Sequence, residues 1–413
     1  MNLQVIVLSL FVALCSPVFA ESSASSLPRK DSAITPEVEA AVESLIESKK
    51  LFGAVTLVAQ SGKIRHLHPQ GRRSVRGKAL MTSDSIFRIH SMTKAIVSAA
   101  ALQQLEKGKY QLSDPVSRFI PEFEKLTVLS ADGKPKPAKK VMTIEDLFRH
   151  TSGLSYGFTA PPALEKYYEG ADFWSGDWDQ FMGVLTKIPL VHEPGESWNY
   201  GLSTDVLGRL VEIWSGQSLD QYLQEHIFNP LKMKDTGFWI RNETDAKRMV
   251  TMQFSTPDGL KAAGDQALKK AMKKPSIMSG GGGLYSTAGD YYQFLQMIAD
   301  GGTRNGDQFL KPETVALMTS DQLPEKVKNI FFGKEQRLGT GFGLGFSVVT
   351  SDTAGWDDVA RPGEFGWGGA ASCHYWVSPV DENLIVITLE QTMPYNWNLE
   401  RALKPVIYSA IRK

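Results

Sequence analysis

A serine and a lysine stand three residues apart at the start of an apolar stretch of this chain. Ser91 and Lys94 enclose Met-Thr, and the composition of residues 95–102 that follow is typical of a buried helix. Side chains at positions i and i+3 of a helix share one face, so the lysine amine can reach the serine hydroxyl. A serine hydroxyl needs a base to act as a nucleophile, and desolvation favours the neutral, basic form of a lysine amine. The pair indicates nucleophilic catalysis, although such a tetrapeptide taken alone is more typical of a helix cap followed by a solvated lysine.

A second serine matches a known nucleophile motif, but in the wrong structural context. Ser155 lies in Gly-Leu-Ser-Tyr-Gly at residues 153–157, which fits the G-x-S-x-G pattern of a nucleophile elbow. Such an elbow needs a strand before the serine and a helix after it. Residues 144–150 are predicted to be helical instead, and Gly153 stands where a helix C-terminus is capped. The context favours Ser91, which opens a helix where the dipole stabilises developing negative charge.

Two further segments carry groups that can complete such a site. Tyr200 follows a Pro-Gly turn and precedes an apolar helix, so its hydroxyl can project into a cleft and shuttle a proton. The alternative is a tyrosine that caps the helix or fills the core. Residues 365–370 read Phe-Gly-Trp-Gly-Gly-Ala and lead into a predicted strand at residues 371–377. Glycines in a strand let a ligand approach the backbone closely, so an edge strand there can donate an N–H to a substrate carbonyl.

The predicted elements place strands at both ends of the chain and helices between them. A helix at residues 36–50 precedes a predicted hairpin, and further strands and a closing helix end the chain. The hairpin strands span residues 53–59 and 64–68, the later strands residues 343–350, 371–377 and 384–389, and the closing helix residues 398–412. The pattern predicts an α+β fold, in which N- and C-terminal segments form one antiparallel sheet flanked by helices. About residues 91–330 form a large, mostly helical insertion.

Taken together, the motifs resemble those of the β-lactamase-related serine hydrolases, closest to their esterase branch, the family VIII carboxylesterases. Residues 147–154, Leu-Phe-Arg-His-Thr-Ser-Gly-Leu, are similar to the H-T-S-G-L turn of that family. Residues 280–288, Gly-Gly-Gly-Gly-Leu-Tyr-Ser-Thr-Ala, are similar to its G-G-L-x-S-T-A segment. The resemblance covers about residues 36–410 and implies the fold shared by serine β-lactamases and penicillin-binding proteins.

The resemblance also implies a role for individual residues. Ser91 would be the nucleophile, Lys94 its base, and Tyr200 the partner of that base. The backbone N–H groups of Ser91 and Ala370 would form the oxyanion hole, which stabilises the charge of a tetrahedral intermediate. The family needs neither a cofactor nor a metal for this reaction.

Two departures from the family pattern concern the positions expected to bind substrate. Penicillin-recognising members carry Y-x-N, whereas the third residue here is Leu202; they also carry K-T-G, whereas this chain has Trp367, Gly368 and Gly369. The lysine and the asparagine that are missing would have bound the carboxylate and the side-chain amide of a β-lactam. The substitutions therefore predict weak or no β-lactamase activity, and the W-G-G form is the one that the esterase branch shows.

Composition and the remaining motifs exclude several classes of function. Lysine plus arginine equals aspartate plus glutamate, 45 against 45, and no basic run is interleaved with aromatic residues, so nucleic acid is not an expected partner. We find no phosphate-binding or dinucleotide fingerprint, and His66 and His68 lack acidic residues at metal-binding spacing. His374 is expected to be structural rather than to line the cleft. The aromatic segment at residues 156–181 either packs its own rings as an irregular loop or forms a wall over an apolar pocket.

The first residues carry a targeting pattern. Residues 1–20 are predicted to be a secretory signal peptide, since an apolar run ends at small residues suited to cleavage, although no lysine or arginine precedes the run. The alternative is a buried N-terminal helix. A linker at residues 21–35 and a hydrolase domain at residues 36–413 would follow. Cleavage would remove Cys15 and leave Cys373 without a disulfide partner, which suits a periplasmic or secreted protein. No later segment is long and apolar enough to span a membrane.

The expected activity is the hydrolysis of esters of small or medium carboxylic acids through an acyl-enzyme on Ser91, with a small-molecule substrate. A β-lactamase or D-alanyl peptidase is one alternative. An acyltransferase is another, because a second alcohol need only outcompete water for the same acyl-enzyme. The third alternative is a binding or sensor protein that is acylated without turnover.

The competition between the two serines gives a direct test. We expect Ser91→Ala to abolish ester turnover, because the hydroxyl that attacks the carbonyl is removed. Ser155→Ala should remain within a few-fold of the unsubstituted protein. Both rates are measured with a p-nitrophenyl ester, and a folded but inactive Ser155 variant beside an active Ser91 variant would overturn the assignment.

Overall fold

The computed structural model describes residues 34–264, 266–332, 335–351 and 356–412. Its helices are α1 Thr35–Glu47, α2 Thr93–Glu106, α3 Ile144–Phe148, α4 Glu165–Tyr168, α5 Trp178–Leu185, α6 Ser203–Ser215, α7 Leu219–Leu223, α8 Glu243–Arg248, α9 Gln266–Ala271, α10 Ala288–Ala299, α11 Pro312–Thr319 and α12 Asn398–Ile411. Its strands are β1 Gly53–Gln60, β2 Lys63–Gly71, β3 Phe87–Arg88, β4 Thr127–Leu129, β5 Pro135–Pro137, β6 Gln253–Thr256, β7 Gly259–Ala262, β8 Tyr285–Ser286, β9 Thr303–Arg304, β10 Asp307–Gln308, β11 Ile330–Phe332, β12 Glu335–Arg337, β13 Thr340–Phe342, β14 Ser347–Val349, β15 Phe365–Gly369, β16 Cys373–Ser378, β17 Leu384–Leu389 and β18 Thr392–Met393.

One antiparallel sheet joins the two ends of the chain. Within the described residues it has seven strands in the order β13-β14-β15-β16-β17-β1-β2. β1 lies between its hairpin partner β2 and the distant β17, with Val55 opposite Leu389. The α+β fold class with an antiparallel sheet built from both ends of the chain is confirmed.

Helices cover both faces of this sheet. On one face α1 and α12 pack together, and their apolar side chains, Val42 and Leu403 among them, meet Val58, Trp376 and Val386 of the sheet. On the other face α10 lies against β1 and β17. Residues of α12 pack against Trp376 of β16, and Lys404 of α12 also lines the cavity described below.

The mostly helical middle is organised around α2. Eleven of the fourteen residues of this helix are buried, including Lys94, because α2 packs against the neighbouring helix α6 and the sheet side of the core. A helix that is apolar all round belongs in the interior of a protein. The α3 helix begins with a capping box in which Thr143 and Asp146 satisfy each other's backbone N–H groups. The predicted helical middle also contains short strands, β4 to β10.

Several predicted boundaries differ from the observed ones. A single strand over residues 343–350 is wrong, because β13 and β14 form a hairpin whose turn contains Gly345 at φ +121°. A side chain at Gly345 would also lie 2.7 Å from the Cβ of Ser98 in α2. The W-G-G residues form a strand of their own, β15, which a turn joins to β16.

The predicted signal peptide lies outside the described residues, as does the predicted linker up to residue 33. Export therefore stays a prediction. Across the part of the chain that the structure describes, none of the helices combines the length and the apolar character needed to cross a membrane.

Candidate active site

Ser91 lies in a tight turn at the start of α2. The turn is a 3-10 helix at His90–Met92, and His90 adopts a left-handed backbone conformation at φ +45°. Tyr291 of α10 donates a hydrogen bond of 2.9 Å to the carbonyl oxygen of Met92. Burial, with help from nearby cations, lowers the pKa of His90 to about 3, so its imidazole is neutral. These contacts fix the backbone on which the serine hydroxyl is carried.

Lys94 lies in the first turn of α2 and is 2% exposed. Its Nζ donates to Ser91 Oγ at 3.3 Å, to the Tyr156 hydroxyl at 3.0 Å and to the carbonyl oxygen of Gly281 at 2.6 Å. Three acceptors match the three N–H bonds of an ammonium. The predicted juxtaposition of Ser91 and Lys94 is present in the structure.

Asp205 of α6 extends this network away from the serine. Its carboxylate accepts a hydrogen bond from the Tyr156 hydroxyl at 3.3 Å, from Ser279 Oγ at 2.6 Å and from the backbone N–H of Gly281 at 2.9 Å. A chain of contacts therefore runs from Ser91 through Lys94 and Tyr156 to a buried carboxylate. Its negative charge compensates the buried ammonium without direct contact.

Tyr156 and Asp205 hold Lys94 in place rather than accept its proton. Burial, followed by the charge of Asp205, raises the pKa of the Tyr156 hydroxyl well above its ordinary value. The hydroxyl therefore stays protonated and can serve only as a neutral partner of the amine. Burial also raises the pKa of Asp205, against the opposing effect of Lys94. Neither residue was singled out from the sequence; the only local signal was the tyrosine in the rejected G-x-S-x-G pattern.

Tyr200, the tyrosine predicted from the sequence, stands beside Lys94 in a different way. Lys94 Nζ lies 4.6 Å from the centre of the Tyr200 ring, over its face. The Tyr200 hydroxyl accepts a hydrogen bond of 3.2 Å from the indole Nε1 of Trp367. The ring of His150, from the H-T-S-G-L turn, packs against the Tyr200 ring with 4.9 Å between the ring centres. The structure thus brings Tyr200 into the site, while the tyrosine hydroxyl that accepts a hydrogen bond from the amine is that of Tyr156.

The strand β15 passes directly by the serine turn. A Cβ at Gly369 would lie 2.4 Å from the carbonyl oxygen of Ile89, so only glycine permits this approach. Strand β14 pairs with β15 only as far as Gly366, which leaves the edge from Trp367 onward open on that side. Ala370 follows in the turn to β16, and it lines the same cavity as Ser91. The arrangement suits the predicted oxyanion hole, which stays a prediction.

A cavity of about 410 Å³ opens onto Ser91. This volume falls within the range of small-molecule sites. Its lining is mostly apolar and aromatic and includes Phe158, Tyr200 and the W-G-G residues Trp367, Gly368 and Gly369. Phe158 is 72% exposed and stacks on Tyr156 at the mouth, with ring centres 5.2 Å apart.

Three sequence candidates lie away from the cavity lining that the described residues form. Leu202, expected to contact substrate, is 2% exposed and packs in the core at the start of α6. Ser155 bonds to the hydroxyl of Tyr168 at 2.7 Å. His374 projects from β16 toward the α12 side, where its Nε2 lies 2.9 Å from the Tyr395 hydroxyl. Burial lowers its pKa to about 3.

The sequence predicts that the aromatic segment at residues 156–181 either forms a wall over an apolar pocket or packs its own rings as an irregular loop, and different parts of the segment do each. Its first rings, Tyr156 and Phe158, belong to the site and its mouth. Later in the segment Phe173, Trp174 and Trp178 surround Phe181 with ring centres 5.2–5.4 Å away, as an irregular region that packs its own rings.

Sequence comparison agrees with this geometry. The model of the Beta-lactamase family matches residues 38–404. The chain belongs to that family. Esterase EstB from Burkholderia gladioli is 30% identical to this member over 395 residues, covering 91% of this chain and 95% of EstB.

Two other Beta-lactamase-fold relatives cover similar shares. Monacolin J acid methylbutanoyltransferase from Aspergillus terreus is 28% identical over 404 residues, covering 90% of this chain and 95% of that protein. The solved structure of EstCE1, described as a hydrolase with promiscuous acyltransferase activity, has a TM-score of 0.78 at 24% identity and covers 91% of this chain and 98% of its own. The resemblance to β-lactamase-related, family VIII esterase-like hydrolases is confirmed.

The two tyrosines can be separated by substitution. We expect Lys94→Ala and Tyr200→Phe each to lower kcat by about 10²–10⁴, the usual contribution of general acid–base catalysis. Tyr156→Phe should lower kcat by about 10–100-fold, because it removes one charge-assisted hydrogen bond that positions the amine. The measurement is steady-state hydrolysis of a p-nitrophenyl ester.

Tyr168→Phe is the matched control, since this hydroxyl bonds to Ser155 outside the cavity lining. It should stay near the unsubstituted rate. Full activity of the Tyr156 variant would remove that residue from the support of Lys94, and full activity of the Tyr200 variant would remove Tyr200 from the mechanism.

Proposed function

We propose that this protein is a carboxylesterase that cleaves esters of small or medium carboxylic acids through an acyl-enzyme on Ser91. The observation that carries the proposal is the contact of 3.3 Å between Ser91 Oγ and the buried Lys94 amine at the wall of an apolar cavity. Acyl transfer needs a nucleophile, a base beside it and a cavity that holds the acyl group. The similarity to Esterase EstB supports the same reaction.

In the acylation step Lys94 acts as a free amine, so its contact with Ser91 is reversed relative to the ammonium form: the hydroxyl donates to Nζ and loses its proton to it as Oγ attacks the ester carbonyl carbon. The carbonyl electron pair moves onto oxygen, where the backbone N–H groups of Ser91 and Ala370 stabilise it. The intermediate collapses with cleavage of the bond to the alcohol oxygen, which receives a proton. Lys94 gives this oxygen the proton that it took from Ser91, so its amine is again a free base when water enters. Trp367 donates to the Tyr200 hydroxyl and so holds the Tyr200 ring against the amine.

Deacylation repeats the sequence with water as the nucleophile. Lys94 removes a proton from water, the hydroxide attacks the acyl carbonyl, and Ser91 leaves with the proton that Lys94 returns. The contacts with Tyr156 and with the carbonyl oxygen of Gly281 hold the amine in one position through both steps. The same base serves each half-reaction.

Acyl transfer to a second alcohol is the rival outcome of the same intermediate. The similarity to a methylbutanoyltransferase favours this candidate, since both reactions pass through an acyl-enzyme. Addition of a short alcohol during p-nitrophenyl butyrate turnover distinguishes the two. A hydrolase releases mostly butyric acid at millimolar alcohol, whereas a transferase releases mostly the new ester.

Neutral short-chain esters should be better substrates than β-lactams. A charge-assisted hydrogen bond to a carboxylate contributes about 1.5–3 kcal/mol, or about 10–100-fold in recognition. β15 carries the indole of Trp367 where that cation would stand, and Leu202 supplies no amide. The measurement is kcat/KM for p-nitrophenyl butyrate and for nitrocefin.

Trp367→Lys should shift the ratio of these two values toward nitrocefin, with a partial gain because Leu202 is unchanged. A preference of the unsubstituted protein for nitrocefin would overturn the esterase proposal and leave Ser91 as the nucleophile. A burst of p-nitrophenol without a steady rate would indicate instead a protein that is acylated but does not turn over.

A further inference from the structure

The wall of the catalytic cavity contains one buried arginine that the reaction does not use. Arg337, the last residue of β12, is 4% exposed and lines the cavity that contains Ser91. The cavity lining is mostly apolar, and its other charged members are Glu364, Glu400 and Lys404. Arginine stays charged under all ordinary conditions.

Aromatic rings hold the guanidinium in place. Its central carbon lies 4.8 Å from the ring centre of Trp397, 5.0 Å from Trp356, 5.3 Å from Trp367 and 5.5 Å from Phe332. Such contacts engage the faces of a planar guanidinium, one N–H group of which bonds to the Tyr395 side chain. Within the described part of the chain its Nε has no partner and stays available for a ligand. Trp367 also bonds to Tyr200, so the arginine is linked to the catalytic centre through one indole.

Arg337 has no carboxylate within ion-pair distance among the residues that the structure describes, and its Nε makes no hydrogen bond there. Lys404, buried on the same cavity wall, offers the contrast. Its ammonium contacts both Asp357 and Glu364. A buried charge without a counter-ion is costly, which leaves the arginine prepared for an anion from outside.

Nearby acids interact with other groups. Glu335 bonds to the indole N–H of Trp356 and lies 3.9 Å from Arg401. Glu400 lies 3.9 Å from Lys404, and burial raises the pKa of Glu400 to about 7, with Lys404 as the strongest opposing charge. The charge of Arg337 also opposes this rise, but no ion pair joins Arg337 to Glu400 among the described residues.

We propose that Arg337 is an anion-binding subsite and that the preferred substrates are esters bearing a carboxylate remote from the scissile bond. The proposal rests on the esterase function proposed above and deepens it. A guanidinium can bind a carboxylate through two parallel hydrogen bonds, which gives orientation as well as affinity. The cation projects from β12 and not from β15, so a flexible chain must connect the carboxylate to the ester.

The test compares two series of p-nitrophenyl esters. One series consists of monoesters of adipic, pimelic and suberic acids, each with a free carboxylate; the other consists of neutral alkanoates with the same number of acyl carbons. The readout is the ratio of kcat/KM for the charged ester to that for its neutral partner. This ratio does not depend on the fraction of each preparation that is folded.

For the unsubstituted protein the best chain length should give a ratio about 10–100-fold above one. Arg337→Met keeps an unbranched side chain without the charge and should lower the ratio by the same factor, mainly through KM. Arg337→Lys keeps the charge but not the paired N–H geometry and should give an intermediate ratio. If the ratio of charged to neutral kcat/KM rises with the length of the acyl chain, the length at which it rises reports the distance from Ser91 to the subsite. A ratio that does not change with length carries no such information.

Two failures can be told apart. If neutral esters are cleaved but no charged ester exceeds its neutral partner, or if Arg337→Met leaves the ratio unchanged, the anion subsite is wrong and the esterase proposal stands. If neither series is cleaved by the unsubstituted protein while the Ser91 side chain is intact, the esterase proposal itself is wrong, and the subsite with it.

Discussion

The position of the Lys94 amine is the constraint on which the site depends. A lysine that serves as a base must be close to the serine, shielded from water and held in one place. Three acceptors surround it, namely Ser91 Oγ, the Tyr156 hydroxyl and the carbonyl oxygen of Gly281. Each comes from a different part of the chain, so α2, the loop after α3 and the glycine-rich loop before β8 must meet at one point. Asp205 then balances the charge that this meeting buries.

The sheet contributes the opposite wall. β15 reaches the serine turn only because Gly369 carries no side chain, and this contact brings the open edge of the strand close to Ser91. The indole of Trp367 joins the two halves of the cavity, since it bonds to Tyr200 on the helical side and stacks near Arg337 on the other. The helical middle therefore carries Lys94 and its hydrogen-bond partners, whereas the sheet forms the other wall of the cavity.

The sequence predicted those parts of the site that local spacing determines. Ser91 and Lys94 follow from one helical turn, and Tyr200 and the W-G-G strand follow from motifs with fixed local contexts. Tyr156, Asp205 and Arg337 could not be predicted in the same way, because each acquires its role from contacts with residues more than 25 positions away in the sequence, such as Tyr156 with Lys94 and Arg337 with Trp367. The single strand predicted for residues 343–350 failed because hydrophobic alternation does not report a turn that a neighbouring helix imposes at Gly345.

The pairing of β1 with β17 has a consequence for how the molecule forms. Val55 and Leu389 are neighbours in the sheet although 334 positions separate them along the chain. Closing so long a loop costs entropy before the contacts that reward it are made, and folds dominated by such pairings fold slowly. During synthesis β1 and β2 emerge as a hairpin. The other edge of β1 has no partner until β17 has been synthesised. The nascent chain therefore exposes an unpaired, apolar strand edge for most of its synthesis, and chaperones that shield such edges are the factors on which its yield should depend most.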